Sequence, residues 1–155
     1  MVVKNGYNMF CASENIFLSF IIPCYNEETA IPLLYNEIIK NIEFIEGPVE
    51  IIFVDDGSTD ATLKELKQLS SKDDRIHYIS FSRNFGKEAA LLAGLQACRG
   101  ECIVMLDADE QDPLYLIPKM LEAVASGEYD CARCRRINRN GENLVRTFFS
   151  RRFYR

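Results

Sequence analysis

The chain has no run of about 18 consecutive apolar residues, and so no candidate for a membrane-spanning helix. Its longest apolar stretch, residues 16–22, is far too short. That stretch follows Glu14 and Asn15 rather than a basic segment, which argues against a signal peptide and for a soluble domain facing the cytoplasm. The dinucleotide fingerprint G-x-G-x-x-G is missing, and so is the phosphate loop G-x-x-x-x-G-K-[ST]; both absences count against a dehydrogenase or an ATPase. There is one histidine, His77 in Arg-Ile-His-Tyr-Ile, which reads as a strand residue without a catalytic role. No internal repeat and no low-complexity tract interrupts the chain.

What is present fits one compact core: 155 residues, 48% of them apolar. Six cysteines invite a metal or disulfide reading. Cys131 and Cys134 form a C-x-x-C, Cys98 and Cys102 lie close together, and Cys11 and Cys24 stand alone. A four-cysteine zinc site needs tight knuckles, whereas Cys131 and Cys134 fall in a strand-like stretch whose positions three apart face opposite sides. Small, buried, reduced thiols are the better reading, in keeping with a cytosolic location. The net charge of −5 conceals an asymmetry, because residues 1–130 carry a balance of −12 and residues 131–155 one of +7. The basic end is rich in arginine, interleaved with Phe148, Phe149, Phe153 and Tyr154, and suits phosphates or acidic lipid head groups. A solvated tail is the alternative.

Hydrophobic patterning alternates strand and helix. Residues 1–17 show no period and are expected to be loosely ordered. Residues 18–23 form a buried strand, and Thr29 caps a helix to about Glu46 with Leu34, Ile38, Ile42 and Ile45 along one stripe. Residues 49–54 form a second strand, and Asp60 caps a helix with Leu63, Leu66 and Leu69 inward. A strand over 76–81, a helix from Gly86 to about Cys98 and a strand over 101–106 follow. Asp112 as cap and Pro113 as first helical residue open a helix ending near Gly127, before a last strand over 129–133. The expected class is α/β, a mostly parallel sheet with helices on both faces and right-handed crossovers. Ligands in such sheets sit beyond the carboxyl ends of the strands, where the loops 23–27, 55–60, 82–87 and 107–112 should converge.

Two of those loops carry acid pairs. Leu106-Asp107-Ala108-Asp109 follows the apolar run Cys102-Ile103-Val104-Met105. Carboxylates held this close repel, and each tends to stay protonated unless a cation sits between them. Oxygen ligands suit Mg²⁺ or Mn²⁺, which in turn favours a phosphate-bearing ligand. A polar turn is the alternative. Asp55 and Asp56 could accept hydrogen bonds from the ring N–H groups of uracil or guanine and from ribose hydroxyls. Asp-Gly-Ser-Thr-Asp is also good turn and helix-cap chemistry.

Taken in order, Pro23-Cys24-Tyr25-Asn26-Glu27, Val54-Asp55-Asp56-Gly57-Ser58-Thr59-Asp60, Ser82-Arg83-Asn84-Phe85-Gly86-Lys87-Glu88-Ala89-Ala90 and Asp107-Ala108-Asp109-Glu110-Gln111-Asp112-Pro113 resemble the motifs of family 2 glycosyltransferases. These enzymes have a Rossmann-like nucleotide-diphospho-sugar transferase (GT-A) fold. The Arg-Asn-Phe-Gly-Lys block is most similar to the polyprenyl-phosphate branch, which includes dolichol-phosphate mannose synthases. The resemblance implies that Pro23, Tyr25 and Glu27 line the base and ribose pocket with Asp56, and that Asp55 lies beside them. It extends the nucleotide-sugar set to Gly57, Asn84, Gly86 and Ala108. It implies that Asp107, Asp109 and Gln111 hold a divalent Mg²⁺ or Mn²⁺, with Arg83 and Lys87 near the phosphates or sugar. Asp107, Asp109, Arg83 and Lys87 are then the catalytic candidates.

Two positions depart from the family pattern: Glu110 and Leu114 stand where relatives often carry an apolar residue and a second proline. Members of the branch also continue into a second, acceptor-side half. The implied layout is a loose segment 1–17, a nucleotide-sugar-binding domain 18–134 and a basic, aromatic segment 135–155 leading toward that half. The implied reaction is inverting transfer of a hexose from a UDP- or GDP-sugar to a polyprenyl-phosphate lipid at the cytoplasmic face of a membrane. Arg133, Arg135, Arg136 and Arg139 would meet the acceptor phosphate or membrane surface. No nucleic acid is expected, and homo-oligomerisation is left open.

Other readings remain: a saccharide acceptor, or a nucleotide-binding fragment without turnover. A nucleotidyltransferase would need a glycine-rich basic loop where Pro-Cys-Tyr-Asn-Glu stands. A receiver-like Mg²⁺-binding signalling module would carry its acid pair after the first strand, not the second.

Overall fold

The computed structural model describes residues 1–4, 16–108 and 113–134. Six strands form one sheet in the order β4-β3-β2-β5-β1-β6. They are β1 (Val2–Lys4), β2 (Leu18–Cys24), β3 (Val49–Asp55), β4 (Ile76–Ser80), β5 (Cys102–Met105) and β6 (Cys131–Ala132). The helices are α1 (Ala30–Ile42), α2 (Thr62–Ser70), α3 (Lys87–Ala97) and α4 (Ile117–Ala125). Strands β4, β3, β2 and β5 pair in parallel, whereas β1 runs antiparallel between β5 and β6. The sheet is therefore mixed, with the expected parallel block intact.

Alternation along the strands decides which helix covers which face. Leu18, Phe20, Ile22, Ile51 and Phe53 point into the larger core with Ile31, Leu34 and Ile38 of α1, Leu66 of α2 and Leu121 of α4. Ile52 and Val54 point the other way, onto Ala90 of α3. Alpha-helix α3 can lie close to the sheet because Gly94 faces it: a Cβ there would sit 2.4 Å from Ile21 Cγ2. Both faces are helix-covered, as the βα alternation predicts.

Several local expectations need correction. Residues 1–17 contribute a strand: Val2 is fully buried, and Val2–Lys4 pairs with residues 102–104. Three residues are too few for a hydrophobic period to be legible. Helix α1 stops at Ile42, and Thr29 makes no side-chain cap; the Glu27 carbonyl accepts from Ala30 and Ile31 N–H instead. Pro113 is not helical. Its ψ of 88° is extended, and a 3₁₀ turn over Leu114–Leu116 comes before α4, where Pro118 occupies the first turn. Asp112 lies outside the described residues. Cys24 and Cys102 are buried free thiols and Cys98 is half-buried, but Cys131 and Cys134 are exposed. Beta-strand β6 is only two residues long and Cys134 lies beyond it, so neither thiol is buried.

At the end of the sheet away from the β-strand carboxyl termini, a buried acid ties β2, β3 and the α3–β5 connection together. Glu50 is 1% exposed. Its Oε1 accepts from Ser19 Oγ at 2.6 Å and from Arg99 N at 2.6 Å, and its Oε2 accepts from Arg99 Nε at 3.0 Å and Nη2 at 2.9 Å. Ser19 Oγ in turn accepts from Gly100 N at 2.7 Å. A buried carboxylate is tolerated only with such a full set of donors. Glu50→Ala should therefore lower the free energy of unfolding by about 2 to 4 kcal/mol in urea denaturation, since it leaves Ser19 and Arg99 without their acceptor.

Candidate active site

The register of the parallel block brings the loops together. Cys24 pairs with Asp55 and Asp55 with Ser80, so β2, β3 and β4 end side by side. Beta-strand β5 leaves the ladder at Met105, opposite Ile21, and residues 106–108 run on toward the same rim.

Hydrogen bonds across loops then fix their shapes. Asn26 takes a left-handed φ of 56°, a conformation asparagine tolerates better than most residues. Its N–H donates to Ser58 Oγ at 2.9 Å, and its Oδ1 accepts from Thr59 N at 2.8 Å. Glu28 N donates to Asp60 Oδ2 at 3.2 Å, Ala61 N donates to Glu28 Oε2 at 2.8 Å, and Glu27 N donates to Thr62 Oγ1 at 2.8 Å. Asp60 Oδ1 also accepts from Thr62 N at 2.9 Å, but the N-cap position of α2 is Ala61 rather than the expected Asp60, which lies one residue before it and holds the neighbouring loop. Glu27 and Asp60 stand out in the sequence, but the pairings themselves do not, because each bond joins residues about thirty positions apart.

The two adjacent acids after β3 do different things. Asp55 is 1% exposed, accepts from Ser58 N at 3.0 Å and Ser80 Oγ at 2.9 Å, and supports the turn from below. Asp56 accepts from Phe85 N at 2.7 Å and Gly86 N at 2.9 Å, anchoring the loop before α3, and also lines the cleft. Gly57 lets the two loops touch: its φ is +69°, and a Cβ would lie 2.3 Å from the Arg83 carbonyl carbon.

The cleft so formed has a volume of about 410 Å³. Pro23, Cys24, Tyr25, Glu27, Asp56, Asn84, Gly86, Lys87, Asp107 and Ala108 line it. Nine of these ten were singled out in the sequence; Cys24 is the addition. Burial pushes the Cys24 thiol up, with the charges of Asp55 and Glu27 adding to the effect, so it stays protonated. Its Sγ donates to Val54 O at 3.4 Å. Tyr25 is 44% exposed and presents its ring to the opening. Asp55 and Gly57 shape the walls without lining the cleft, and neither does Arg83, whose guanidinium lies 4.4 Å from the Phe85 ring centroid. Phe85 packs edge-on against Phe81 at 5.5 Å.

Among the described residues, Glu27, Asp56 and Asp107 line this cleft with one cation, Lys87, whose Nζ lies 2.5 Å from Asp107 Oδ1. An acidic wall of this kind accepts an anionic diphosphate only together with added positive charge. Asp107 presents hard oxygen to that space and already holds a cation, which suits a divalent ion. Asp109 and Gln111 lie outside the described residues, as do Arg135, Arg136 and Arg139; Arg133 is exposed. Among the described residues no cluster of three or more His, Cys, Asp or Glu side chains is arranged to hold a metal.

Comparison with known proteins adds the following. The family model described as glycosyl transferase family 2 matches residues 19–154. CsbB of Bacillus subtilis (strain 168) is 42% identical over 138 residues, covering 89% of this chain and 41% of CsbB. The bactoprenol glucosyl transferase of Shigella phage SfX is 36% identical over 138 residues, covering 89% of this chain and 45% of that protein. The chain thus spans less than half the length of the curated relatives it matches.

Among solved structures, Staphylococcus aureus TarS 1–349 in complex with UDP superposes with a TM-score of 0.67 at 23% identity, covering 83% of this chain and 38% of that one, and shares the fold. The glucosyl-3-phosphoglycerate synthase of Mycobacterium tuberculosis, in complex with Mn²⁺, UDP and phosphoglyceric acid, has a TM-score of 0.56 at 29% identity over 73% of this chain and 40% of that one. A mannosyltransferase of Pyrobaculum calidifontis, with GDP-Man and Mn²⁺, has a TM-score of 0.58 at 25% identity over 73% of this chain and 33% of that one. The six-stranded sheet is that of the GT-A glycosyltransferases.

Because Gly57 has no room for a side chain, Gly57→Ala should destabilise the domain by about 2 kcal/mol or more and loosen the loop before α3. Faster hydrogen exchange at Phe85 and Gly86 N–H, beyond that in the sheet, is the expected signature.

Proposed function

The chain belongs to glycosyl transferase family 2, and on that premise we propose that it forms the donor-binding part of an enzyme that moves a hexose from a UDP- or GDP-sugar to a polyprenyl phosphate. The observation that carries this reading is the single cleft in which Tyr25, Glu27, Asp56, Lys87 and Asp107 meet from four separate loops. Tyr25 and Pro23 offer a surface for the base, and Glu27 and Asp56 offer acceptors for ring N–H groups and ribose hydroxyls. The likeness to bactoprenol glucosyl transferase supports the lipid-phosphate acceptor over a saccharide.

Asp107 with Asp109 and Gln111 would hold Mg²⁺ or Mn²⁺, and the ion would supply positive charge to the leaving diphosphate. Asp56 holds the 83–87 loop in place, so Lys87 stands at the same end of the cleft as Asp107. Arg83, stacked on Phe85 at the outer side of that loop, is available to an anion approaching from solvent.

Inverting transfer requires the acceptor to attack from the face opposite the departing diphosphate. A phosphate monoester is already largely ionised near neutral pH, its second pKa being about 6. Such an acceptor needs cations to hold it more than a base to activate it. Arg133, Arg135, Arg136 and Arg139 have the right sign for that role, and the aromatic residues after them suit a lipid head-group layer at the cytoplasmic face of a membrane. No helix among the described residues is long and apolar enough to cross a membrane.

Calorimetric titration of this chain with UDP and with GDP, each with and without Mn²⁺, tests the donor site. One nucleotide should bind at least tenfold more tightly with the metal present, and Asp109→Ala should remove that gain. Equal binding with and without Mn²⁺ in the unaltered chain would refute the metal-dependent site.

A further inference from the structure

Among the described residues, the one cation lining the cleft is bonded to the carboxylate proposed to receive the metal. Lys87 is the first residue of α3, and its ammonium contacts Oδ1 of Asp107 across twenty positions of sequence. Both side chains are about half exposed, 54% for Lys87 and 51% for Asp107. Ion pairs that wet contribute little to stability and exchange readily. The contact is therefore poorly suited to be a structural lock, in contrast to Glu50 and Arg99 at the other end of the sheet, where the carboxylate is buried and fully bonded.

We propose that Lys87 is a placeholder cation: it neutralises Asp107 until a divalent ion arrives, then yields that oxygen and turns to the phosphates of the incoming nucleotide. This rests on the donor-site reading above and adds a consequence to it. An ammonium and a divalent ion compete for one carboxylate oxygen, so metal alone binds against Lys87. A diphosphate gives the released ammonium a new partner. Its flexible four-carbon stem lets it move without disturbing the helix that begins at its own backbone. The backbone of the loop stays fixed meanwhile, because Asp56 holds Phe85 and Gly86. Metal and nucleotide then favour one another's binding, and by linkage the factor is the same in both directions.

The test is a titration of Mn²⁺ alone, and again in the presence of saturating UDP, on the unaltered chain and on Lys87→Met, Lys87→Gln and Asp107→Asn, each checked for cooperative thermal unfolding. In the Lys87 variants, Mn²⁺ alone should bind about 3- to 5-fold more tightly, the scale of an exposed ion pair. UDP affinity in the presence of Mn²⁺ should fall, and the coupling factor between the two ligands should shrink by at least the same 3- to 5-fold. Unchanged or weaker Mn²⁺ binding in both Lys87 variants, with Asp107→Asn abolishing it, would overturn the placeholder role while leaving the metal site standing. Mn²⁺ binding that survives Asp107→Asn undiminished would instead overturn the metal site, and the placeholder with it.

Discussion

Both carboxylate oxygens of Asp56 are engaged by backbone N–H groups of a different loop, and the cleft takes its shape from that bridge. The acid sits at the carboxyl end of a central strand, itself fixed by seven paired residues on β2 and five on β4. From that rigid base it grips Phe85 and Gly86, which sets where α3 begins and hence where Lys87 emerges. Gly57 permits the approach and Asp55 supports it from beneath. A side chain that reads as a ligand group in the sequence is thus a structural post in the fold.

The sheet carries charge at both ends, handled in opposite ways. At the amino end of β3, Glu50 is sealed in and given a donor for every oxygen. At the carboxyl ends, Glu27, Asp56 and Asp107 line an open cleft, and Asp107 pairs with a half-exposed lysine. Full compensation makes the first cluster a fastener. The second cluster is open to solvent, where the proposed metal and nucleotide would reach it.

Much of this was legible in the sequence because it depends on periodicity and on strand-end chemistry. Buried runs gave the parallel strands, and acids just beyond those runs gave the rim. Residues whose importance is long-range were not legible: Ser19, Glu50, Thr62 and Ser80 act through partners far along the chain, and nothing in their immediate neighbours marks them. Asp55 was read beside the base pocket, but its seven-residue strand buries it, so its oxygens serve the turn. Short elements failed for another reason. Beta-strands β1 and β6 are three and two residues long, which leaves no hydrophobic pattern to read, although Val2 and Ala132 pack into the larger core.

The antiparallel strand has a consequence for how the chain is assembled. Val2–Lys4 pairs with residues 102–104 and 131–132, far along the chain. Val2 is fully buried only when both are in place. Such distant pairing carries a large loop-closure entropy and slows folding. The parallel block of β2, β3, β4 and β5 closes over shorter stretches of chain and can form first, leaving beside β5 a slot that β1 fills afterwards.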